Sequence, residues 1–276
     1  MQAAADIDAA TLTALIQLVR KHTGMAMTEK KSILLQGRLR PRLLALSLGS
    51  YRDYLHVVEK DLDEVQLFIN MVTTNDTLFF RTPLVWDFFS VQFLPEWQRD
   101  HAGQTLRIWS AAAASGEEAY SIAMLCEEFR QHAADFQYQI LATDISTETL
   151  AAAREGLYRG RSLDKIKASQ PRLLEKYFYP HEDGRRIAAE LKNRIRFAEH
   201  NLLCQLQTPA RFDIVFLRNV LIYFDAQSQE RIVNLVRGVM SDDARLILGE
   251  SESLSRLTTP FQFEKSQIYR VDPVLA

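Results

Sequence analysis

The side chains best suited to chemistry stand at the ends of apolar runs. The run LRIWSAAA leads into SAAAASGEEAY, where small residues from Ser110 to Gly116 precede Glu117 and Glu118. Small residues let a ligand approach the backbone closely, and the start of the following helix offers its N-terminal dipole. Two carboxylates at that dipole repel a phosphate, so a cationic or zwitterionic nucleotide-like ligand fits this rim better. The competing reading is that both glutamates only cap the helix. YQILATD ends on Asp144, which can accept two hydrogen bonds from a ribose diol or cap the next helix, although Ser146 or Thr147 already suits the cap. EHNLL offers Asn201, whose amide can read an adenine edge. LRNVLIYF finishes a buried run with Arg218 and Asn219, and Tyr223 follows four residues later. A further stretch, VTTNDTLFFRTP, runs a polar cluster of Thr73, Thr74, Asn75, Asp76 and Thr77 into Phe79 and Phe80 and then presents a lone Arg81, which turn chemistry does not account for.

The elements around these residues follow a recognisable grammar. Leu106–Ala113 reads as a buried strand, EEAYSIAMLCEEF as a helix, Tyr138–Asp144 as a second strand, and STETLAAAREG as a helix with a Ser/Thr cap that closes on Gly156. Strand alternating with helix predicts a parallel sheet, and ligands of such sheets sit at the carboxyl ends of the strands. Phe212–Asn219 is the next buried strand, followed by the helix AQSQERIVNLVRGVM, the strand ARLILGE and the closing β segment FQFEKSQIYRV. Between them, Lys176 to Asn201 breaks the rhythm with a proline, an Asp-Gly turn and short alternating runs, as expected of a small antiparallel insertion with a helical piece. A helix is expected over Leu84–Gln98, with Phe88, Phe89, Phe93, Leu94 and Trp97 on its apolar side.

From Thr11 to Met71 no strand signal interrupts the helical spacing of Leu12, Leu15, Ile16 and Val19, or of Leu55, Val58, Leu62, Val65, Phe68 and Ile69. The middle of this quarter sets Lys30, Lys31, Arg38, Arg40 and Arg42 around an apolar stripe of Ile33, Leu34, Leu43 and Leu46. Such a run is either a solvated face or a docking surface for an acidic partner.

Composition narrows the class. Lysine plus arginine number 33 against 35 aspartate plus glutamate, and a net charge of −2 gives no overall attraction to nucleic acid or to an anionic membrane. The apolar fraction of 47% fills a proper core in a chain of 276 residues. Cys126 and Cys204 lie in apolar surroundings without a CxxC or His companion at metal spacing, so buried thiols are expected rather than a disulfide or a metal site. The N-terminal MQAAADIDAA has no basic leader region, and no apolar run approaches the roughly 18 residues of a membrane span, so a cytoplasmic protein is expected, with a monomer as the default because the sequence leaves oligomeric state open. No GxGxxG supports a dinucleotide site.

TTNDTLFFR, SAAAASGEEAYSIAM, ATDISTETLAAAREGLY, HNLL, FDIVFLRNVLIYF and the late GESES together resemble, in order and approximate spacing, the successive signatures of the CheR family. These are the methyltransferases that esterify glutamates of bacterial chemoreceptors, and the likeness spans nearly the full length. It implies a class I S-adenosylmethionine-dependent methyltransferase sheet, Rossmann-like, with a small antiparallel β subdomain inserted and an all-α domain ahead. Residues 1–71 would be the helical domain, 72–90 a linking segment that contacts the cofactor, and 91–276 the methyltransferase domain, with the β subdomain at about 176–200. The implied cofactor is S-adenosyl-L-methionine, leaving as S-adenosyl-L-homocysteine. Carried over by position, Asn75, Thr77 and Arg81 contribute from the linking segment, Glu118 meets the amino-acid part, Asp144 the ribose, Asn201 with Leu202 the adenine, and Arg218 with Asn219 the methionine portion. Arg81 and Tyr223 would flank the reacting centre.

The chemistry implied needs no general base, because a glutamate with an ordinary pKa of about 4.3 is already ionised at neutral pH. Placement must do the work, and it can account for roughly 7 to 11 kcal/mol of a barrier. Arg81 can hold the carboxylate bidentately, though not so tightly as to stabilise charge that the transition state loses. The resemblance also implies a methyl-accepting chemotaxis receptor as partner, and Lys30, Lys31, Arg38, Arg40 and Arg42 as a docking face for its acidic helices. Family members tethered to a receptor C-terminal pentapeptide have a longer, glycine-rich hairpin than the compact YFYPHEDGRRI, so independence of that tether is expected. Ala114-Ser115 stands where the family often has Ser-Thr, and Glu250 where a His is frequent, so the GESES loop is assigned no role. The rival expectations are a nucleotide-dependent dehydrogenase, which lacks its glycine fingerprint here, and a non-catalytic adaptor retaining the fold.

Overall fold

A computed structural model describes residues 7–272 of the chain. The first six and last four residues of the expected domains lie outside the described residues, and with them most of MQAAADIDAA.

The first quarter is helical. Helices α1 (Ala9–Thr23), α2 (Ser32–Ala45), α3 (Tyr51–Lys60) and α4 (Leu62–Val72) close around Leu15, Val19, Leu35, Leu39, Leu43, Tyr54, Val58 and Phe68. Start signals are chemical: Asp8, Ser50 and Asp61 each accept a backbone N–H from the first turn of α1, α3 and α4. The face of α2 differs from the stripe expected. Leu35, Leu39 and Leu43, at spacings of four, point inward, whereas Ile33 is 82% exposed, and Leu34 and Leu46 are also exposed. Leu62, expected on the apolar side of α4, is 86% exposed.

Pro83 opens one long helical run whose regular ends are α5 (Pro83–Asp87) and α6 (Leu94–Asp100), joined by a π-helical stretch, Phe88–Phe93. The α/β part follows: β1 (Thr105–Ala111), α7 (Glu117–Arg130), β2 (Gln137–Asp144), α8 (Thr147–Glu155), β3 (Leu157–Tyr158), α9 (Arg161–Ser169), α10 (Pro171–Tyr177), β4 (Phe178–His181), β5 (Gly184–Ile187), α11 (Ala189–Lys192), β6 (Ile195–Glu199), β7 (Phe212–Leu217), α12 (Ala226–Arg237), β8 (Met240–Leu248), β9 (Phe261–Lys265) and β10 (Ile268–Val271). The main sheet has the order β6-β2-β1-β7-β8-β10-β9, parallel from β6 to β8, with β10 and β9 antiparallel. One face packs on α7 and the long aromatic helix through Phe89, Ile122 and Phe216; the other packs on α12 through Ile232, Val233 and Val236.

Two boundaries depart from expectation. Ile195–Glu199, expected inside the antiparallel insertion, is β6, the parallel edge strand beside β2. The small sheet instead recruits β3 from upstream, in the order β3-β5-β4. The closing β segment is a hairpin rather than one strand, because the chain turns at Ser266 and Gln267, the latter at φ +62°. Cys126 is buried, but Cys204 is exposed, since the turn after Asn201 runs over the surface.

β1 lies between β2 and β7, so strand order reverses there, and the register brings the carboxyl ends of the parallel strands level: Ala111 is opposite Thr143 and Leu217, and Asp144 opposite Glu199.

Candidate active site

A cavity of about 920 Å³, counted out to its open mouth, lies over those strand ends. Asn75, Thr77, Arg81, Glu118, Asp144, Asn201, Leu202, Arg218, Asn219 and Tyr223 all line it. They come from five separate stretches of chain that only the fold brings together.

The segment after α4 crosses the cavity and is pinned at both ends. Arg38 of α2 donates to the Val72 carbonyl (2.5 Å) and to the Thr74 hydroxyl (2.8 Å). Phe79 is fully buried, edge-on to Tyr158 and Phe178 at 4.7 and 5.3 Å, and Phe80 packs against Trp86. Between those anchors and α5, Phe80 and Thr82 hold φ of +51° and +65°. Left-handed geometry at two residues without glycine is strained, and the surroundings must enforce it. They do so through the Arg81 carbonyl, which accepts the Trp86 indole N–H and an Arg218 N–H, both at 2.8 Å. The Arg81 guanidinium hydrogen-bonds the Asp76 carbonyl at 3.3 Å and makes no ion pair with any described residue.

At the end of β1 the backbone turns sharply, with φ of +65° at Ala112, +48° at Ala114 and +92° at Gly116. Gly116 is required on two counts, since a Cβ there would lie 2.9 Å from that of Ala153. The Asp144 carboxylate braces this turn, accepting Ala114 N–H (2.8 Å) and Ser146 N–H (2.9 Å) on its two oxygens. Capping of α8 falls to Ser146, so Asp144 is left facing the cavity. Burial pushes its carboxyl above the usual range, against the pull of those N–H groups. The Glu118 carboxylate accepts the Ser110 hydroxyl (2.8 Å) and pairs with Arg218 (2.9 Å), and burial pushes it up as well despite the guanidinium. Glu117 points elsewhere, accepting the hydroxyls of Ser115 and Ser162.

Bonds within the protein engage three of the residues singled out from the sequence: Asn201, Arg42 and Arg38. The Asn201 amide donates to the His22 carbonyl (3.1 Å) while its oxygen accepts Leu203 N–H (3.0 Å), which leaves one N–H and one oxygen lone pair of this cavity-lining side chain uncommitted by those bonds. Among the cations assigned to docking, Arg42 forms a bidentate pair with the buried Glu64 (2.9 and 2.6 Å), and Arg38 is tied to the segment after α4 as described. Both are structural, whereas Lys30, Lys31 and Arg40 are exposed. Residues not anticipated also line the cavity: Thr23 and Met25 from the end of α1, and His200, whose ring meets Trp109 edge-on at 5.8 Å. No sequence signal marks Thr23 or Met25; they arrive because Ala26 N–H donates to the Tyr223 carbonyl (2.8 Å) across the domain seam.

The comparisons with known proteins agree with this geometry. A family model described as CheR methyltransferase, SAM binding domain, matches residues 75–270, and one described as CheR methyltransferase, all-alpha domain, matches residues 10–73. The chain belongs to the CheR methyltransferase family. Among relatives, a chemotaxis protein methyltransferase of Salmonella typhimurium is 37% identical over 92% of this chain and 87% of its own length, and one of Escherichia coli is 36% identical over the same shares. A solved structure of a SAM-dependent methyltransferase from Methanosarcina mazei is 15% identical, covering 54% of each chain with a TM-score of 0.34, which by itself carries no argument.

This CheR-family chain is thus a methyltransferase with S-adenosylmethionine as its cofactor. Its cavity fits that group. Acidic Glu118 and Asp144 suit a cationic ligand that carries a ribose diol, and the alanines at the end of β1 leave the backbone open to close approach. The buried Nε of Arg218 has no hydrogen-bond partner among the described residues, a donor of the kind an amino-acid carboxylate takes up.

Proposed function

We propose that the chain esterifies glutamate side chains on the cytoplasmic helices of a chemotaxis receptor, acting as a cytoplasmic monomer. The observation that carries this reading is Arg81: a guanidinium beside the cofactor cavity, its carbonyl held by two donors, with no carboxylate paired to it among the described residues. An unpaired arginine fork at that position is suited to an incoming carboxylate. The cofactor supplies an electrophilic methyl group on a sulfonium centre. Glutamate is ionised at neutral pH, with a pKa of about 4.3, so the residues need not remove a proton. Arg81 orients the acceptor, Tyr223 walls the reacting centre, and Asn75, Thr77, Glu118, Asp144, Leu202, Arg218 and Asn219 hold the donor. Asn201 joins Leu202 at the adenine with the amide N–H that His22 does not take.

Docking falls to Lys30, Lys31 and Arg40 with the exposed Ile33 and Leu34 of α2, a basic rim on an apolar centre suited to an acidic amphipathic helix. The β4–β5 hairpin turns through Glu182 and Asp183 alone, and this compactness supports independence of a receptor C-terminal pentapeptide. Calorimetry with such a pentapeptide is expected to show no binding; micromolar affinity would overturn that part.

The decisive experiment is transfer of labelled methyl to receptor-containing membranes, with Arg81→Ala alongside. Base-labile methyl ester is the expected product. Cofactor binding without ester formation by the wild type would instead favour a non-catalytic adaptor.

A further inference from the structure

The Gly249–Glu252 turn, to which no role attaches from sequence, is built around one carboxylate. Glu252 is 9% exposed and accepts four backbone N–H groups: Asn219 (2.8 Å) and Gly249 (2.6 Å) on Oε2, Val220 (2.8 Å) and Leu221 (2.7 Å) on Oε1. Three of the donors are consecutive residues between β7 and α12, in the stretch that leaves the sheet through Asn219 at φ +59°. Successive N–H groups gathered this way form a nest of the kind that elsewhere binds an anion, and here the protein supplies the anion itself. The same stretch continues into the 3₁₀ turn Leu221–Tyr223, where Tyr223 N–H donates to the Val220 carbonyl (3.1 Å).

We infer that Glu252 is a positioning residue for methyl transfer: its carboxylate sets the Asn219–Leu221 turn, and thereby the place of the Tyr223 ring in the cavity. The inference rests on the proposed role of Tyr223. An ionised carboxylate is acceptor-only, so all four bonds are made by one group. A glutamine must turn its NH₂ toward either the Asn219 and Gly249 pair or the Val220 and Leu221 pair, and whichever it faces is expelled. Gly249 locks the arrangement from the other side, since a Cβ there would lie 2.5 Å from Asn219 Nδ2 and 2.7 Å from Glu252 Oε2. Of the residues proposed to hold the cofactor only Asn219 lies in this turn, the others standing on the segment after α4, α7, β2, the turn after β6 and the end of β7, so displacement of the turn should register in turnover more than in cofactor affinity.

The test compares wild type, Glu252→Gln, Tyr223→Ala and the double variant. Glu252→Gln is expected to lower kcat about tenfold or more while S-adenosylhomocysteine affinity changes by less than about threefold, and the double variant should be no slower than the slower single one. Wild-type kcat in Glu252→Gln, or losses that multiply in the double variant, overturns the inference. If Glu252→Gln does not fold, Gly249→Ala replaces it in the same cycle under the same criteria. The reaction itself is judged on the wild type alone: absence of ester there sinks the proposed function. In that case the Tyr223 ring resonances decide the positioning role, a shift on Glu252→Gln supporting it and unmoved signals overturning it.

Discussion

Arg81 illustrates how a side chain acquires its direction. Its backbone is fixed by two donors to one carbonyl, and its guanidinium has no acidic partner among the described residues. Replacement by alanine should reduce methyl transfer at least about a hundredfold, as expected when placement is the main catalytic contribution, with the circular dichroism spectrum unchanged. Lysine, a point charge without the fork, should recover only part of the rate. The acids make a second prediction. Burial holds Asp144 and Glu118 above the usual carboxylate range, so the folded protein binds their protons more tightly than the unfolded chain does. Their stabilising contribution is therefore present below the unfolded pKa and lost as pH rises through the folded one. A cationic ligand favours the ionised forms, so calorimetric affinity for S-adenosylmethionine should fall as pH is lowered from neutrality, beginning above the ordinary carboxylate range. An affinity flat across that window would remove these acids from the site. At this scale the sequence marks the polar strand ends, but not which side chains are already committed. Asn201 spends one amide N–H on His22, 179 residues away, and no local pattern encodes that bond.

Helix α2 carries its lesson in phase. Its apolar residues outnumber the positions its core face can hold, so periodicity alone cannot separate Leu35, Leu39 and Leu43 from Ile33 and Leu34; the packing of α1, α3 and α4 decides. Arg42 sits on the same helix and is 22% exposed, paired with a Glu64 that is 4% exposed and also accepts the Tyr54 hydroxyl. Arg42→Ala strands a buried carboxylate and should destabilise the protein by about 3 kcal/mol, read as a lower urea midpoint, whereas Arg40→Ala should leave the midpoint unchanged. Equal effects would return Arg42 to the surface cations. The β1–α7 turn makes a similar demand on Gly116: alanine there meets both φ +92° and the Ala153 Cβ, and should lower stability by about 1–3 kcal/mol. β6 was legible as a strand ending in EHNLL, but its sheet was not, because five residues pair equally well in either sheet until β2 offers its free edge.

For the molecule as a whole, the helical quarter is a wall of the cavity. Thr23 and Met25 line it, Gly24 lies against Leu203 and Phe224, and Arg20 pairs with Asp225 beside the seam. A Cβ at Gly24 would fall 2.1 Å from Leu203 Cδ1, at a φ of +74°. Gly24→Val should therefore weaken cofactor binding about tenfold through the seam. Unaltered affinity would mean that the wall is dispensable. No helix among the described residues is long and apolar enough to cross a membrane. Charge reversal at Lys31 and Arg40 should slow receptor methylation and flatten its salt dependence, with transfer rates across ionic strength as the measure. By itself the sequence determined the helical quarter, the alternating sheet, the family and the ten residues that meet in the cavity, because periodicity, capping and motif order are local properties of a chain. Only the tertiary structure decided which arginines are spent, where Asn201 turns, which strand edges β2, and that Glu252 holds the turn before Tyr223. Each of those depends on a partner distant in sequence, and hydrogen-bond and ion-pair partners are fixed by proximity in space.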